Sequence, residues 1–106
     1  MVKRAFDLIY DLRVKAHFEA IEPKYYSLIR SAIETRLRFE PDVETTNRKP
    51  LKRSAQLEAD WEIRFGPGNR FRVFYEVDPL MHIVYILAIG EKRGAQLFVG
   101  GEEYEL

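Results

Sequence analysis

The chain has 106 residues and no cysteine, which predicts a single domain over residues 1–106 and excludes disulfide bonds and thiolate metal sites. Its 46% hydrophobic and 32% charged residues are typical of a globular protein and argue against a disordered chain. Seventeen basic residues balance seventeen acidic ones, and this zero net charge argues against a strongly basic nucleic-acid-binding protein.

The first forty residues predict a strand and a helical hairpin. Residues 5–10 (AFDLIY) are typical of a short strand, and Asp11 is the expected N-cap of the first helix because apolar residues recur after it at helical spacing. Pro23 suits the first turn of a second helix, whose apolar stripe covers residues 25–37. We expect this helix to end before Pro41.

The rest of the chain predicts a loop followed by strands. Residues 41–60 are polar and irregular, with a turn expected at residues 49–51. Residues 61–65 alternate apolar and charged side chains, residues 70–77 place apolar side chains on one face, and residues 83–89 are apolar throughout. Their short connections predict an antiparallel meander, followed by a tail. The pattern therefore predicts an α+β fold of order β-α-α-β-β-β, with the helical hairpin packed on one face of a small sheet.

Signals for export, membrane spanning and metal binding are absent from the sequence. No apolar segment is long enough to span a bilayer, and Asp7 and Asp11 interrupt any export signal. We therefore expect a cytoplasmic protein with no membrane partner. His17 and His82 have no second histidine or cysteine at ligand spacing, so no metal site and no cofactor are expected.

Charge is distributed unevenly along the chain despite the neutral total. Residues 48–72 carry seven basic against three acidic side chains, whereas residues 78–106 carry five acidic against two basic ones. Such segregation favours a local anion-binding surface, although a scattered, solvated surface explains the same pattern.

A cationic cluster is expected on the predicted sheet. Alternation places Arg64 on one strand and Arg70 and Arg72 on its neighbour, all on the face opposite the helices. Like charges placed opposite each other cost stability unless they bind an anion. Two interpretations stay open, because Glu62 and Glu76 alternate onto the same face: the arginines bind an anion, or they pair with these carboxylates.

Further basic and aromatic residues lie near this cluster in the sequence. Lys92 and Arg93 directly follow the last apolar strand, and a basic loop precedes the first strand of the meander. Aromatic side chains stack on nucleic-acid bases, and Phe74 and Phe98 are the expected candidates.

These elements together resemble the RelE/ParE superfamily of small bacterial toxins, the toxin halves of type II toxin–antitoxin pairs. The resemblance is carried by the sequences KPLK at 49–52, WEIR at 61–64, RFRVFYEVD at 70–78 and an apolar strand closing on GEKR at 90–93. It covers residues 45–98, and the order of the preceding strand and helices agrees as well.

The resemblance implies a RelE-like fold with a mixed sheet and a cognate antitoxin as partner. Members of the RelE branch cut mRNA in the ribosomal A site, with the RNA 2′-OH as the attacking group, so the ribosome and mRNA are the implied targets. Members of the ParE branch instead act on DNA gyrase. A ParE-like or non-catalytic protein that binds a protein target, and a homodimer, stay open as alternatives.

The resemblance also assigns roles to individual residues. Arg64, Arg72 and Lys92 would bind the scissile phosphate electrostatically. The carboxylate of Glu62 would act as general base on the 2′-OH, and the family's C-terminal tyrosine falls at Phe98. The catalytic candidates are thus Arg64, Arg72, Lys92 and Glu62, and the RNA-binding candidates are Lys49, Lys52, Arg53, Arg70, Arg93 and Phe98.

Overall fold

Two helices and seven strands succeed one another in the computed structural model, which describes residues 4–51 and 58–104. Their bounds in chain order are β1 (Asp7–Tyr10), α1 (Arg13–Glu19), α2 (Tyr26–Leu37), β2 (Arg48–Pro50), β3 (Trp61–Phe65), β4 (Phe71–Asp78), β5 (Ile83–Arg93), β6 (Gln96–Val99) and β7 (Glu102–Tyr104). Single 3₁₀ turns at Pro23–Tyr25 and Pro67–Asn69 precede α2 and β4. In the described part of the chain, no helix is both long and apolar enough to cross a membrane.

The sheet is mixed and mainly antiparallel, with β5 at its centre. Its strand order is β2-β3-β4-β5-β6-β7, and each of these neighbours is antiparallel. The edge of β5 that faces away from β4 is shared, because β1 pairs in parallel with residues 83–86 and β6 pairs with residues 90–93. The predicted helical hairpin and mainly antiparallel sheet are confirmed.

The main core lies between the helices and one face of the sheet. Ile29, Ile33 and Leu37 are fully buried because their four-residue spacing places them on one side of α2. They pack against the inward-facing side chains of β3, β4 and β5. The hydroxyl of Tyr75 donates a hydrogen bond to the Pro41 carbonyl oxygen at 2.6 Å, and burial raises the pKa of this phenol far above its ordinary value.

A second, smaller core covers part of the opposite sheet face. Its buried members are Ala59, Phe74, Ala88, Leu97 and Val99. The prediction that Phe74 stacks on bases is therefore wrong, because its ring is fully buried. Alternation along β4 places Phe74 on this face, but it gave no sign that Ala59 and β6 would cover it.

Two further predictions of local structure are wrong. Residues 49–51 do not form a turn, because Lys49 and Pro50 belong to the short strand β2, which pairs with β3. Arg48, the first residue of β2, holds the strand against the end of α2 and the segment after it. Its guanidinium donates hydrogen bonds to the carbonyl oxygens of Arg36 at 2.6 Å and Val43 at 3.2 Å. The predicted tail forms β6 and β7, which extend the sheet beyond β5.

The start of α1 differs slightly from the prediction. Leu12, not Asp11, occupies the N-cap position, and its side chain makes no capping hydrogen bond. The Asp11 carboxylate still accepts a hydrogen bond from the backbone N–H of Arg13 at 2.9 Å and pairs with its guanidinium. These contacts lower the pKa of Asp11.

His17 fills the gap that β1 and β6 leave on the shared edge of β5. Its Nδ1 atom accepts a hydrogen bond from the backbone N–H of Ile89 at 3.2 Å, between the segments that pair with the two strands. Partial burial of the ring lowers the pKa of His17 below its ordinary 6.5, and nearby Arg13 lowers it further, against a smaller opposite effect of Asp11. The structure therefore favours the neutral ring, whose Nδ1 is free to accept.

Protonation of His17 is expected to destabilise the fold by about 1 kcal/mol, the contribution of one hydrogen bond. Since the folded pKa lies below the unfolded value of 6.5, this stability is present above pH 6.5 and is lost as pH falls through 6.5 toward the folded pKa. Urea unfolding of the wild type and His17→Asn at several pH values measures it. The asparagine oxygen keeps an acceptor that does not titrate, so the variant should lose stability less steeply, and identical slopes would contradict the assignment.

Candidate functional site

Arg64 and Arg72 lie directly opposite each other on neighbouring strands. The register of β3 and β4 pairs their Cα atoms, as the predicted meander requires. Both side chains project from the face opposite the helices, on which Phe74 and Ala88 form the second core. The arginine cluster predicted on this face is therefore confirmed for these two residues.

A buried carboxylate holds the two arginines together. Oε1 of Glu62 accepts hydrogen bonds from Nε of Arg64 at 2.6 Å and from Nη1 of Arg72 at 3.3 Å. The Glu62 side chain is only 5% exposed, against 42% for Arg64. Glu62 thus pairs with both arginines, as one interpretation of the sequence expected, whereas the exposed Glu76 has no ion pair with any described residue.

The guanidinium of Arg72 is desolvated but keeps hydrogen-bonding capacity. Its side chain is 9% exposed, and its buried Nε has no hydrogen-bond partner among the described residues. Burial lowers the pKa of Arg72, opposed by Glu62 and assisted by Arg64, yet an arginine stays cationic at any physiological pH. A guanidinium carries five N–H donors, and among the described residues only Glu62 accepts one from Arg72, through Nη1, so donors remain for an added anion.

Lys92 extends the same face along β5. Gly90 lies opposite Arg72, and Lys92 follows two residues later, so its side chain projects to the same side of the sheet. Its backbone N–H donates to the carbonyl oxygen of Arg70 at 2.7 Å, which fixes the strand at this point. The ammonium group has no ion pair with a described residue.

A second carboxylate-centred cluster lies on the helix side of the sheet. Oε2 of the buried Glu91 accepts from Nε of Arg70 at 2.6 Å, and Oε1 accepts from Nη2 of Arg93 at 3.2 Å. Glu91 is paired in register with Phe71, whose ring belongs to the main core, which identifies the face. These hydrogen bonds to Glu91 raise the pKa of Arg70.

The prediction that Arg70 shares a face with Arg72 is wrong. Arg70 precedes β4 and has a helical backbone conformation, with φ −62° and ψ −34°, as the C-cap residue that follows the 3₁₀ turn. The two-residue alternation holds only for extended backbone, so the Arg70 side chain turns toward the helices. There it lies 4.9 Å from the centre of the Tyr25 ring and donates to its hydroxyl at 3.3 Å.

The remaining RNA-binding candidates are dispersed. Phe98 is paired in register with Glu91 and lies on the helix side, 5.1 Å from the Arg93 guanidinium, so the structure does not bring it to Arg64 and Arg72. Lys49 lies opposite Glu62 on β2, but its ammonium pairs with Glu44 at 3.3 Å. Lys52 and Arg53 fall outside the described residues. The binding roles of these four residues stay predictions.

Two participating residues were not singled out from the sequence. Glu91 pairs with both arginines of the second cluster, and the only signal for it in the sequence was its position directly before the basic residues 92 and 93. Tyr25 was assigned to the apolar stripe of the second helix, although its ring and hydroxyl contact Arg70. The contacts of Arg70 with Glu91 and with Tyr25 span 21 and 45 positions, so no pattern within one element reports them.

Structural comparison identifies the fold. The chain is similar to a chain of the crystal structure of the toxin–antitoxin complex RelBE2 from Mycobacterium tuberculosis, with a TM-score of 0.67 and 19% sequence identity. The similarity covers 83% of this chain and 99% of that one. The fold is RelE-like. No protein-family model and no curated protein sequence matches the chain. The RelE-like fold predicted from the sequence is therefore confirmed by structural similarity alone.

The RelE-like sheet carries an excess of positive charge at one end. Within the described residues, the two clusters and Lys92 contribute five cationic side chains against the carboxylates of Glu62 and Glu91. These seven side chains sum to three positive charges on a chain whose total is zero, and Glu102 and Glu103 of β7 continue the same rows of the sheet beyond β6. This end of the sheet is consequently the part of the site best suited to a phosphate-containing ligand.

Proposed function

We propose that this chain is the toxin of a type II toxin–antitoxin system and cleaves mRNA on the ribosome. The observation that carries the proposal is the pair Arg64 and Arg72, held across two strands of a RelE-like sheet by the buried Glu62. Two preorganised guanidinium groups on one face match the geometry of a phosphate, whose charge grows during cleavage.

The proposed reaction is an internal transfer at one phosphodiester. The 2′-oxygen attacks the adjacent phosphorus while Glu62 takes its proton, and the bond from phosphorus to the 5′-oxygen breaks. The leaving oxygen takes a proton from the ammonium group of Lys92 or from water, which gives a 2′,3′-cyclic phosphate and a 5′-hydroxyl end. Oε2 of Glu62 accepts no hydrogen bond from a described residue, so one carboxylate oxygen remains to receive the proton.

Arg64 and Arg72 have the electrostatic role in this reaction. A guanidinium is a permanent cation at physiological pH, so each arginine stabilises the negative charge that develops on the non-bridging oxygens without exchanging protons. The Arg72 side chain is only 9% exposed, so its guanidinium acts from the desolvated side of the site. A desolvated donor acts more strongly than one in water, since the local dielectric is lower.

Induced expression in a bacterial host tests the proposal. We expect growth arrest, with primer extension on total mRNA showing new 5′ ends within translated codons. Arg64→Ala combined with Arg72→Ala should remove both effects while the protein accumulates normally. Arg36→Ala is the matched control, because this arginine lies exposed on α2, outside the proposed site. Full toxicity of the double variant would contradict phosphate binding by this face.

A toxin that binds a protein target such as gyrase is the second candidate function. It is favoured by one observation, that Glu62 already neutralises part of the charge of both arginines. The same experiment separates the two candidates. Growth arrest without new mRNA ends identifies a protein target, whereas arrest with such ends identifies the interferase.

A cognate antitoxin is the proposed partner, and the cytoplasm, where ribosomes act, is the proposed location. The support is that the similar solved structure is a toxin–antitoxin complex. Co-expression with a small gene adjacent to the coding sequence should restore growth, and the two products should co-purify. Formation of a homodimer stays a prediction.

A further inference from the structure

The end of the sheet beside Lys92 contains an open depression between two turns. It encloses about 480 Å³ and lies between the turn that joins β3 to β4 and the turn that joins β5 to β6. Its lining residues are Pro67, Gly68, Arg70, Lys92, Arg93 and Gly94. Among the described residues, the charged groups that line it are therefore the three cations of Arg70, Lys92 and Arg93.

The two glycines keep this depression accessible to a ligand's backbone. Gly68 and Gly94 have positive φ angles of 60° and 63°, a conformation that side chains disfavour. Apart from the glycine and its two chain neighbours, no described residue has an atom within 4 Å of the position that a Cβ atom would occupy at either residue. The walls of the depression are therefore low. This shape fits an extended polymer that passes across it better than a compact molecule that it would have to enclose.

The arginines at the depression are held in position rather than free in solvent. Glu91 accepts a hydrogen bond from each, and the rings of Tyr25 and Phe98 support Arg70 and Arg93 respectively. Fixed guanidinium groups lose little side-chain entropy on binding an anion. Lys92, which has no ion pair with a described residue, lies between these arginines and the Arg72 face.

We propose that this depression is a second phosphate subsite, which binds the phosphodiester next to the scissile one in a single-stranded RNA. The inference rests on the proposed function. Lys92 lies two residues along β5 from the position facing Arg72, a separation of about 7 Å, comparable to one nucleotide of an extended strand. The RNA backbone therefore runs from Arg64 and Arg72 across Lys92 to Arg70 and Arg93.

Binding of short, cleavage-resistant oligonucleotides of different length tests the subsite. The probes are 2′-deoxy dinucleotides, with one phosphodiester, and tetranucleotides, titrated into the full chain and followed by fluorescence anisotropy. The wild type should bind the longer probe more tightly. Arg93→Ala, which removes a side chain 55% exposed, should weaken that binding about fivefold at low salt and leave the dinucleotide unaffected.

The salt dependence provides a second readout. The logarithm of the tetranucleotide binding constant falls linearly with the logarithm of the salt concentration. Loss of one phosphate contact should make this negative slope shallower by about 0.7. Arg93→Lys keeps the charge and should keep the slope, and Arg36→Ala should match the wild type in every respect. Circular dichroism checks that each variant folds.

The possible results distinguish the phosphate subsite from RNA recognition in general. A tetranucleotide that binds equally well to wild type and Arg93→Ala contradicts the subsite but leaves the proposed function intact. A wild-type chain that binds neither probe contradicts RNA recognition itself, and the subsite with it. An acidic peptide serves as a further probe. If it binds tightly to the wild type and not to Arg93→Ala, and the tetranucleotide binds no more tightly than the dinucleotide, the depression binds a protein partner instead.

Discussion

Replacing Arg72 with alanine is expected to lower the rate of mRNA cleavage on programmed ribosomes by about 100- to 1,000-fold. That range is typical for removal of one preorganised donor to a charge that develops in the transition state. The reason is geometric, since Arg72 is desolvated, fixed by Glu62 and opposite Arg64. Arg72→Lys should recover part of the rate, because an ammonium supplies the charge without the planar fork.

Stability has to be separated from catalysis in this variant. Arg72→Ala leaves Glu62 paired with Arg64 at 2.6 Å, so the carboxylate keeps one counter-ion and the fold should survive. Thermal unfolding followed by circular dichroism provides the check, and Arg36→Ala supplies the control for a lost surface arginine. A folded Arg72→Ala protein that cleaves at the wild-type rate would contradict the phosphate-binding role.

Replacing Glu62 with alanine is expected to reduce the free energy of unfolding by about 3 kcal/mol. The substitution leaves the buried Arg72 without its counter-ion and directly opposite a second cation, and breaking a buried pair in this way typically costs about 3–5 kcal/mol. We choose the lower end of that range because Arg64 is 42% exposed and partly solvated. Urea denaturation measures the change.

A second substitution tests whether the uncompensated charge is the cause. Adding Arg72→Met to Glu62→Ala removes the buried cation and supplies an apolar side chain beside the second core, so most of the lost stability should return. Arg72→Met alone completes the double-mutant cycle, which isolates the coupling between the two residues. Additive effects would show that Glu62 stabilises the fold by packing and not by pairing with Arg72.

The parts of the fold that depend on local pattern were predictable from sequence. Residues 61–65 and 71–78 alternate strictly enough to set the faces of two strands, so the pairing of Arg64 with Arg72 followed from a short turn. The stripe of α2 was predictable for the same reason, since Ile29 and Ile33 repeat at helical spacing. All of these correct predictions rest on side-chain periodicity within one element or across one short turn.

The rest of the site depends on information that no local pattern contains. Arg70 is not on the predicted face because it directly follows a 3₁₀ turn and keeps helical backbone angles as its C-cap. The sequence Gly-Pro-Gly-Asn indicated a turn but not the backbone conformation of the residue after it. The strands β6 and β7 are only four and three residues long, and they owe their strand geometry to the pairing of β6 with β5 and of β7 with β6. Glu91 became central because residue 70 reaches it across 21 positions.

The shared edge of β5 also bears on the order in which the protein folds and opens. The strands β3 to β7 are consecutive antiparallel neighbours, whereas the parallel pairing of Asp7 with Ile83 closes a loop of 76 positions in a chain of 106. Closing such a loop is entropically costly, so β1 should join the sheet late in folding and detach first in native fluctuations. Arg64, Arg72 and Lys92 all lie on strands of the consecutive part. The cationic face would therefore keep its arrangement even while the amino-terminal strand is released.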